Sequence, residues 1–191
     1  MFNAGWGRLT RQLHPIDTLR QQQPRAGEAA VLIGLIERAG TVEVILTKRA
    51  AHMLQHPSEV AFPGGKFEPG DTDLIATALR EAQEETHLSP DRAALLGALP
   101  ARYTRAGVRV SAVVAQIAPG AALIPDPAEL SAIFTAPITL FQPAGADRFD
   151  TIERQGVRYQ IPAYRYDGYD IWGLTALLAT EVASVFLGAR R

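Results

Sequence analysis

The sequence predicts a single α+β domain, and three observations carry that reading. Its 191 residues are the length of one domain with a decorated end. Short β-branched runs bounded by glycine-containing turns surround one central and one closing segment of helical period. Hydrophobic residues make up 47% and charged residues 20%, enough apolar side chains to fill a core. No internal repeat, low-complexity tract or linker marks a second domain.

The first sixteen residues contain Arg8 and Arg11 and no acid, faintly like a transit peptide, but Trp6, Leu9 and Leu13 suit a packed amino-terminal helix. Residues 29–36 and 41–47 are β-branched apolar runs separated by Glu37-Arg38-Ala39-Gly40, the pattern of an antiparallel hairpin. Periodicity is lost from 48 to 57, and residues 58–62 then run into Pro63-Gly64-Gly65, a short strand ended by glycines. Over 72–87, Ile75, Ala78, Leu79 and Ala82 recur at the spacing of one buried helix face. Residues 95–103 and 108–117 read as two strands, the second alternating around Val110, Ala112 and Val114. After a polar break at 125–129, residues 130–141 begin as a strand and end as a short helix. A Gln155-Gly156 turn within 151–161 suggests a late hairpin. Residues 171–187 read as a closing helix, amphipathic because Thr175, Thr180, Glu181 and Ser184 interrupt it.

Nineteen bases against twenty acids give a net charge of −1, so there is no global positive field for a nucleic-acid backbone or an anionic membrane. The longest apolar stretches reach about eight residues where a span needs about twenty. A chain without cysteine has no disulfide, thiolate ligand or cysteine nucleophile, which fits a reducing, cytoplasmic setting. Gly65 to Gly70 has the glycine spacing of a phosphate-binding loop, but Asp71 follows where that loop needs Lys. There is no Gly-x-Ser-x-Gly elbow and no Gly-x-Gly-x-x-Gly after a strand. His52 and His56 are four apart, but Pro57 and the lack of cysteine argue against zinc, and both read as loop residues.

The sharpest feature is Arg80-Glu81-Ala82-Gln83-Glu84-Glu85. At about 100° per residue, Glu81, Glu84 and Glu85 share one helix face, away from the apolar sector. Like charges at these spacings repel, and a cation relieves that cost. An all-oxygen donor set favours hard ions, Mg²⁺ first and Mn²⁺ next. The alternative is a solvated acidic face. The loop Phe62-Pro63-Gly64-Gly65-Lys66 weighs for the metal, since sharp backbone before the helix offers carbonyl ligands. Arg80, four residues before Glu84, can hold that carboxylate in one orientation. Residues 59–91 carry a local charge of −6 inside a mildly basic remainder.

These residues resemble the Nudix hydrolase signature: Gly, five residues, Glu, seven residues, Arg-Glu, an aliphatic residue, any residue, Glu-Glu, any residue, Gly. Gly65, five residues and Asp71 match its first half with Asp for Glu, and eight residues then precede Arg80-Glu81-Ala82-Gln83-Glu84-Glu85. His87 stands where the last glycine is expected. The upstream pair Ile45-Leu46-Thr47-Lys48-Arg49-Ala50 and Phe62-Pro63-Gly64-Gly65 is similar to a pattern of the coenzyme A pyrophosphatase branch, as is Ile171-Trp172-Gly173-Leu174-Thr175-Ala176. Leu54 replaces an arginine usual there, which bears on substrate preference, and Ser58 replaces a glycine, which with His87 leaves room for a catalytically silent domain.

The resemblance implies a Nudix-like mixed β-sheet core sandwiched by helices, with residues 1–28 a helical extension and 29–191 the hydrolase domain including the closing helix. It implies hydrolysis of a nucleoside diphosphate derivative with Mg²⁺ or Mn²⁺. Glu81 and Glu85 are then primary metal ligands, Glu84 a further ligand or water-positioning carboxylate, and the Gly64 or Gly65 carbonyl completes the shell. The general base is a glutamate of this set or Glu129 from a distant loop. Lys48, Arg49 and Lys66 border the expected cleft as phosphate donors. Tyr103 and Phe67 are aromatic candidates for stacking, with core packing the alternative. The expected substrate is coenzyme A or a derivative. ADP-ribose, a dinucleoside polyphosphate, or a catalytically silent nucleotide-binding domain stand as alternatives, and the oligomeric state, a homodimer included, is left open.

Overall fold

The computed structural model describes residues 2–154 and 156–188. In chain order these form α1 (Phe2–Gln12), α2 (Ile16–Arg20), β1 (Ala29–Arg38), β2 (Thr41–Arg49), β3 (Val60–Ala61), β4 (Gly64–Lys66) and α3 (Leu74–Thr86). They continue with β5 (Ala93–Tyr103), β6 (Arg109–Ile117), β7 (Leu130–Pro137), β8 (Arg148–Arg154), β9 (Val157–Tyr166), β10 (Tyr169–Ile171) and α4 (Gly173–Leu187). The chain is a single α+β domain, a mixed sheet flanked by helices.

Ala39 and Gly40 both take positive φ, 47° and 75°, which closes a two-residue turn and sets Arg38 opposite Thr41 in the β1–β2 hairpin. The main sheet runs β3-β2-β1-β6-β5, with β4 paired to β1 and β7 to β2. Only β1 and β6 are parallel there, from Ala29 opposite Val110 to Ile36 opposite Ile117. β1 reads as a continuous apolar run because it is covered on both faces. Ala30, Leu32 and Ile36 meet Ile75, Ala78 and Ala82 of α3, whereas Ile33 and Leu35 join the layer with α1 and α4. The buried face expected for α3 is observed, with Leu79 partly buried at its margin.

The amino-terminal helix belongs to that second layer. Leu9 and Leu13 are buried, and Trp6 meets Phe186 edge-on with ring centroids 5.4 Å apart. α4 departs from a simple amphipathic pattern, because its polar residues face partners inside the fold. Thr175 Oγ1 donates to the Val60 carbonyl (3.1 Å), Thr180 meets the Tyr164 hydroxyl (2.9 Å), and Glu181 pairs with Arg102. No helix among the described residues is long and apolar enough to cross a membrane.

Residues 130–141 form β7 followed by a 3₁₀ turn over Ile138–Phe141, as the pattern predicts. The late hairpin is β8–β9, though Gln155 of its expected turn lies outside the described residues. β10, which extends it to three strands, has too short a run to show in the sequence. The glycines after Pro63 do not end a strand but form one, with Gly64 opposite Val31 and Gly65 opposite Ala30. A Cβ at Gly64 would collide with the Ala30 carbonyl, so the missing side chain is what lets β4 close on β1.

Two departures from the signature keep a glycine's backbone. His87 ends α3 at φ 56°, and Ser58 sits at φ 62°. His87 has an anchor, its Nδ1 lying 3.0 Å from the Ile124 carbonyl. Ser58 is exposed, and left-handed backbone costs a side chain roughly 1–2 kcal/mol, part of which glycine returns as chain entropy. Ser58→Gly is expected to raise stability by about 0.5–1 kcal/mol in urea unfolding, with no change in m-value.

Candidate active site

α3 begins at Asp73, whose Oδ1 accepts from the Ile75 and Ala76 N–H groups (2.9 and 2.8 Å). Starting there, the helix turns Glu81 and Glu85 toward β4 while Glu84 stays exposed. Gly65 lies directly against the Glu81 carboxylate, and a Cβ on it would overlap that carboxylate. Gly65→Ala is therefore expected to displace Glu81 and lower kcat by about 10²-fold. A kinetic assay beside a thermal melt separates this from unfolding.

Glu85 is 3% exposed. Burial pushes its carboxyl up to about 8, against the Gly64 N–H, which donates to Oε2 at 3.1 Å, and the Arg49 guanidinium 3.6 Å from Oε1. The charges of Glu81 and Glu129 push it the same way as burial. Burial also raises Glu81, opposed by Arg80. Glu129, in the loop before β7, acts on both through its charge. Its carbonyl accepts from the Ala50 N–H (2.8 Å), and the neighbouring Asp126 N–H donates to the Glu85 carbonyl (2.9 Å).

Arg80 is the hub of this face. Its Nε donates to Asp71 Oδ1 (2.9 Å) and Nη2 to Asp71 Oδ2 (3.1 Å), a two-pronged pair. Nη1 donates to Glu81 (3.0 Å) and to Glu84 (2.9 Å), as the i, i+4 spacing predicts. Nη2 also reaches the Lys66 carbonyl at 3.1 Å. The Asp71 pair was not anticipated, although Asp71 occupies an acidic signature position nine residues before Arg80. Hydrogen bonding from Arg80 holds the Asp71 carboxyl at about 2.

The remaining expected residues divide. Lys48 is half-buried, its Nζ 5.6 Å from the Tyr169 ring centroid, and that ring stacks on Phe134 at 3.8 Å. Arg49 is committed to Glu85, and Lys66 is exposed with its carbonyl held by Arg80. His52 Nε2 lies 2.9 Å from the Ala128 carbonyl and His56 Nδ1 lies 2.9 Å from Glu59, so the two rings serve different loop contacts. Phe67 packs against the α3 layer, whereas Tyr103 is exposed.

Among the described residues no three His, Cys, Asp or Glu side chains are already drawn together as a metal cage. The reason is visible: Arg80 holds Glu81 and Glu84, and Glu85 rests on Gly64 and Arg49. The donor set nonetheless fits a hard cation. It is all oxygen, carries three glutamates beside a backbone cradle without Cβ, and buries the Glu85 carboxylate, whose charge the Gly64 N–H and Arg49 do not offset against that burial.

A NUDIX domain is recognised over residues 26–155. The chain is 35% identical over 179 residues to an uncharacterized Nudix hydrolase NudL of Cronobacter sakazakii, covering 92% of this chain and 93% of that protein. It is 37% identical to the NudL protein of Enterobacter sp. strain 638, over 82% of this chain and 81% of the relative. Its fold is similar to that of a C. elegans Ap4A hydrolase, with TM-score 0.51 and 20% identity over 59% of this chain and 81% of that one. With the domain spanning most of the chain and the acidic helix and glycine strand assembled within it, the protein belongs to the Nudix hydrolase family and is a pyrophosphohydrolase of a nucleoside diphosphate linked to another group.

Proposed function

We propose that the protein is a Mg²⁺-dependent pyrophosphohydrolase of coenzyme A or its derivatives, releasing adenosine 3′,5′-bisphosphate and 4′-phosphopantetheine. One observation carries this reading. The two upstream segments that resemble the coenzyme A branch converge on a single carboxylate, with Arg49 of one and the Gly64 N–H of the other both on Glu85. Thr175, in the third such segment, is tied to Val60 next to them.

Membership in the family implies dependence on a divalent cation. Glu81, Glu84 and Glu85 with the Gly65 backbone are the proposed holders of Mg²⁺, or Mn²⁺, which when bound neutralises diphosphate oxygens and acidifies water. Arg80, bridging Glu81 and Glu84 through one nitrogen, orients them and tempers their repulsion. Lys48 and Lys66, joined by Arg49 on its release from Glu85, are the proposed donors to the outer phosphate oxygens. Glu129 takes the proton of the attacking water from the loop side.

A second reading, cleavage of ADP-ribose or a dinucleoside polyphosphate, is favoured by Leu54. Its side chain is fully exposed in the loop between Arg49 and Glu59, uncharged where the coenzyme A branch carries arginine. The test is a panel of coenzyme A, acyl-coenzyme A, ADP-ribose and dinucleoside polyphosphates with Mg²⁺. The highest kcat/KM is expected on a coenzyme A species. Preference for ADP-ribose would overturn the branch assignment alone, and inactivity on all of them the reading as a whole.

A further inference from the structure

Between the segment after α2 and the turn end of the β5–β6 hairpin lies an open cavity of about 550 Å³, in the size range of small-ligand sites. Gln22, Gln23, Arg25, Glu28, Tyr103 and Arg109 are among its walls. Ala29 lies opposite Val110 and Tyr103 opposite Arg109, so the two-residue strand period puts Glu28, Arg109 and Tyr103 on one face of the sheet. Ala30 shares that face, and opposite it stands Gly65, against which Glu81 lies. The Phe67 N–H donates to the Glu28 carbonyl (2.9 Å), continuing the β1–β4 pairing toward the cavity. Two residues of extended chain, about 7 Å, separate the level of Glu81 from the cavity wall.

The lining has a definite chemistry. The Arg109 guanidinium is held 3.6 Å from the Glu28 carboxylate and donates to Gln22 Oε1 (3.1 Å). The Arg25 backbone N–H donates to the same carboxylate at 3.3 Å, and its side chain is exposed. Two guanidinium groups against one carboxylate leave a net positive wall. Tyr103 contributes an aromatic ring that is 48% exposed, and the glutamines contribute amides able to donate and accept.

We propose that this cavity is the subsite for the phosphorylated nucleoside end of the substrate. The base stacks on Tyr103, its edge meets the Gln22 and Gln23 amides, and its phosphate faces Arg25 and Arg109, while the diphosphate lies along β1 at Glu81 and Glu85. The inference rests on pyrophosphohydrolase activity toward a nucleoside diphosphate derivative, not on coenzyme A being that derivative.

The test is equilibrium binding of adenosine 3′,5′-bisphosphate, 5′-AMP and unphosphorylated adenosine, by calorimetry in EDTA, to wild type, Tyr103→Ser, Tyr103→Phe and Arg25→Ser. KM and kcat on the best substrate of the panel are measured alongside. Wild type is expected to bind at least one nucleotide, Tyr103→Ser to bind it about tenfold or more weakly, the scale of one base–aromatic stack, and Tyr103→Phe to restore it. Arg25→Ser should weaken the nucleotide more than it weakens adenosine, and both serine variants should raise KM with kcat within about threefold of wild type. Both side chains are exposed, and a thermal melt verifies folding. Unchanged nucleotide affinity and KM in the serine variants, or no nucleotide binding to wild type at millimolar concentration, would overturn the subsite. A wrong branch assignment instead exchanges the better nucleotide and leaves the effects of the variants in place.

Discussion

Glu85→Gln is expected to lower kcat by about 10³-fold and, in metal-free buffer at pH 8, to raise the melting temperature. The first effect follows from removing a proposed ligand to a cation that supplies several kcal/mol of charge stabilisation, about one decade of rate per 1.4 kcal/mol. The second follows from burial. The Glu85 carboxyl is raised to about 8 in the fold, so its neutral form is favoured there. The associated stability is fully present below the ordinary glutamate range and is lost as pH rises toward 8. Glutamine still accepts from the Gly64 N–H but carries no charge, so the variant should gain on the order of 2–4 kcal/mol over wild type at pH 8 and nothing at pH 4. Saturating Mg²⁺ should reverse the order by stabilising wild type alone. Melts at pH 4, 6 and 8, with and without Mg²⁺, check the sign.

Arg80→Ala is expected to be the most damaging substitution for stability. It leaves Asp71, whose side chain is 4% exposed, without its two-pronged partner and frees Glu81, Glu84 and the Lys66 carbonyl at once. Breaking a buried pair by removing one member costs about 3–5 kcal/mol. Because Arg80 depresses the Asp71 carboxyl to about 2, that stability is present above the ordinary aspartate value and is lost as pH falls from about 4 toward 2. In the variant the acid loss should shrink, since Asp71 then gains by protonating. Arg80→Lys should recover only part of the neutral-pH stability, because one ammonium cannot match both carboxylate oxygens. Urea unfolding from pH 2.5 to 7 measures both.

Much of this protein is legible in its residues where periodicity and packing agree. β1, β2, α3, β5 and β6 are long enough for their patterns to speak, and the buried face of α3 contains the residues its spacing names. The clustering of acids was legible too, since a helix fixes which side chains share a face. The glycine strand was not. Gly64 and Gly65 read as a turn because glycine carries no strand signal, and only the close approach of Ala30 and of Glu81 explains their presence. The Asp71–Arg80 pair escaped for a related reason, lying across a loop whose path no periodicity dictates. Tyr169 beneath Lys48 comes from a strand more than a hundred residues away, and such pairings need the tertiary fold.

The assignment of the α3 face as the cation site is tested most directly by Mn²⁺ binding, followed by electron paramagnetic resonance in wild type, Glu81→Gln and Glu85→Gln. Wild type is expected to bind Mn²⁺ saturably, with displacement by Mg²⁺ and an affinity about tenfold or more lower in each variant. Mn²⁺ binding of equal affinity and stoichiometry in all three proteins would contradict the assignment.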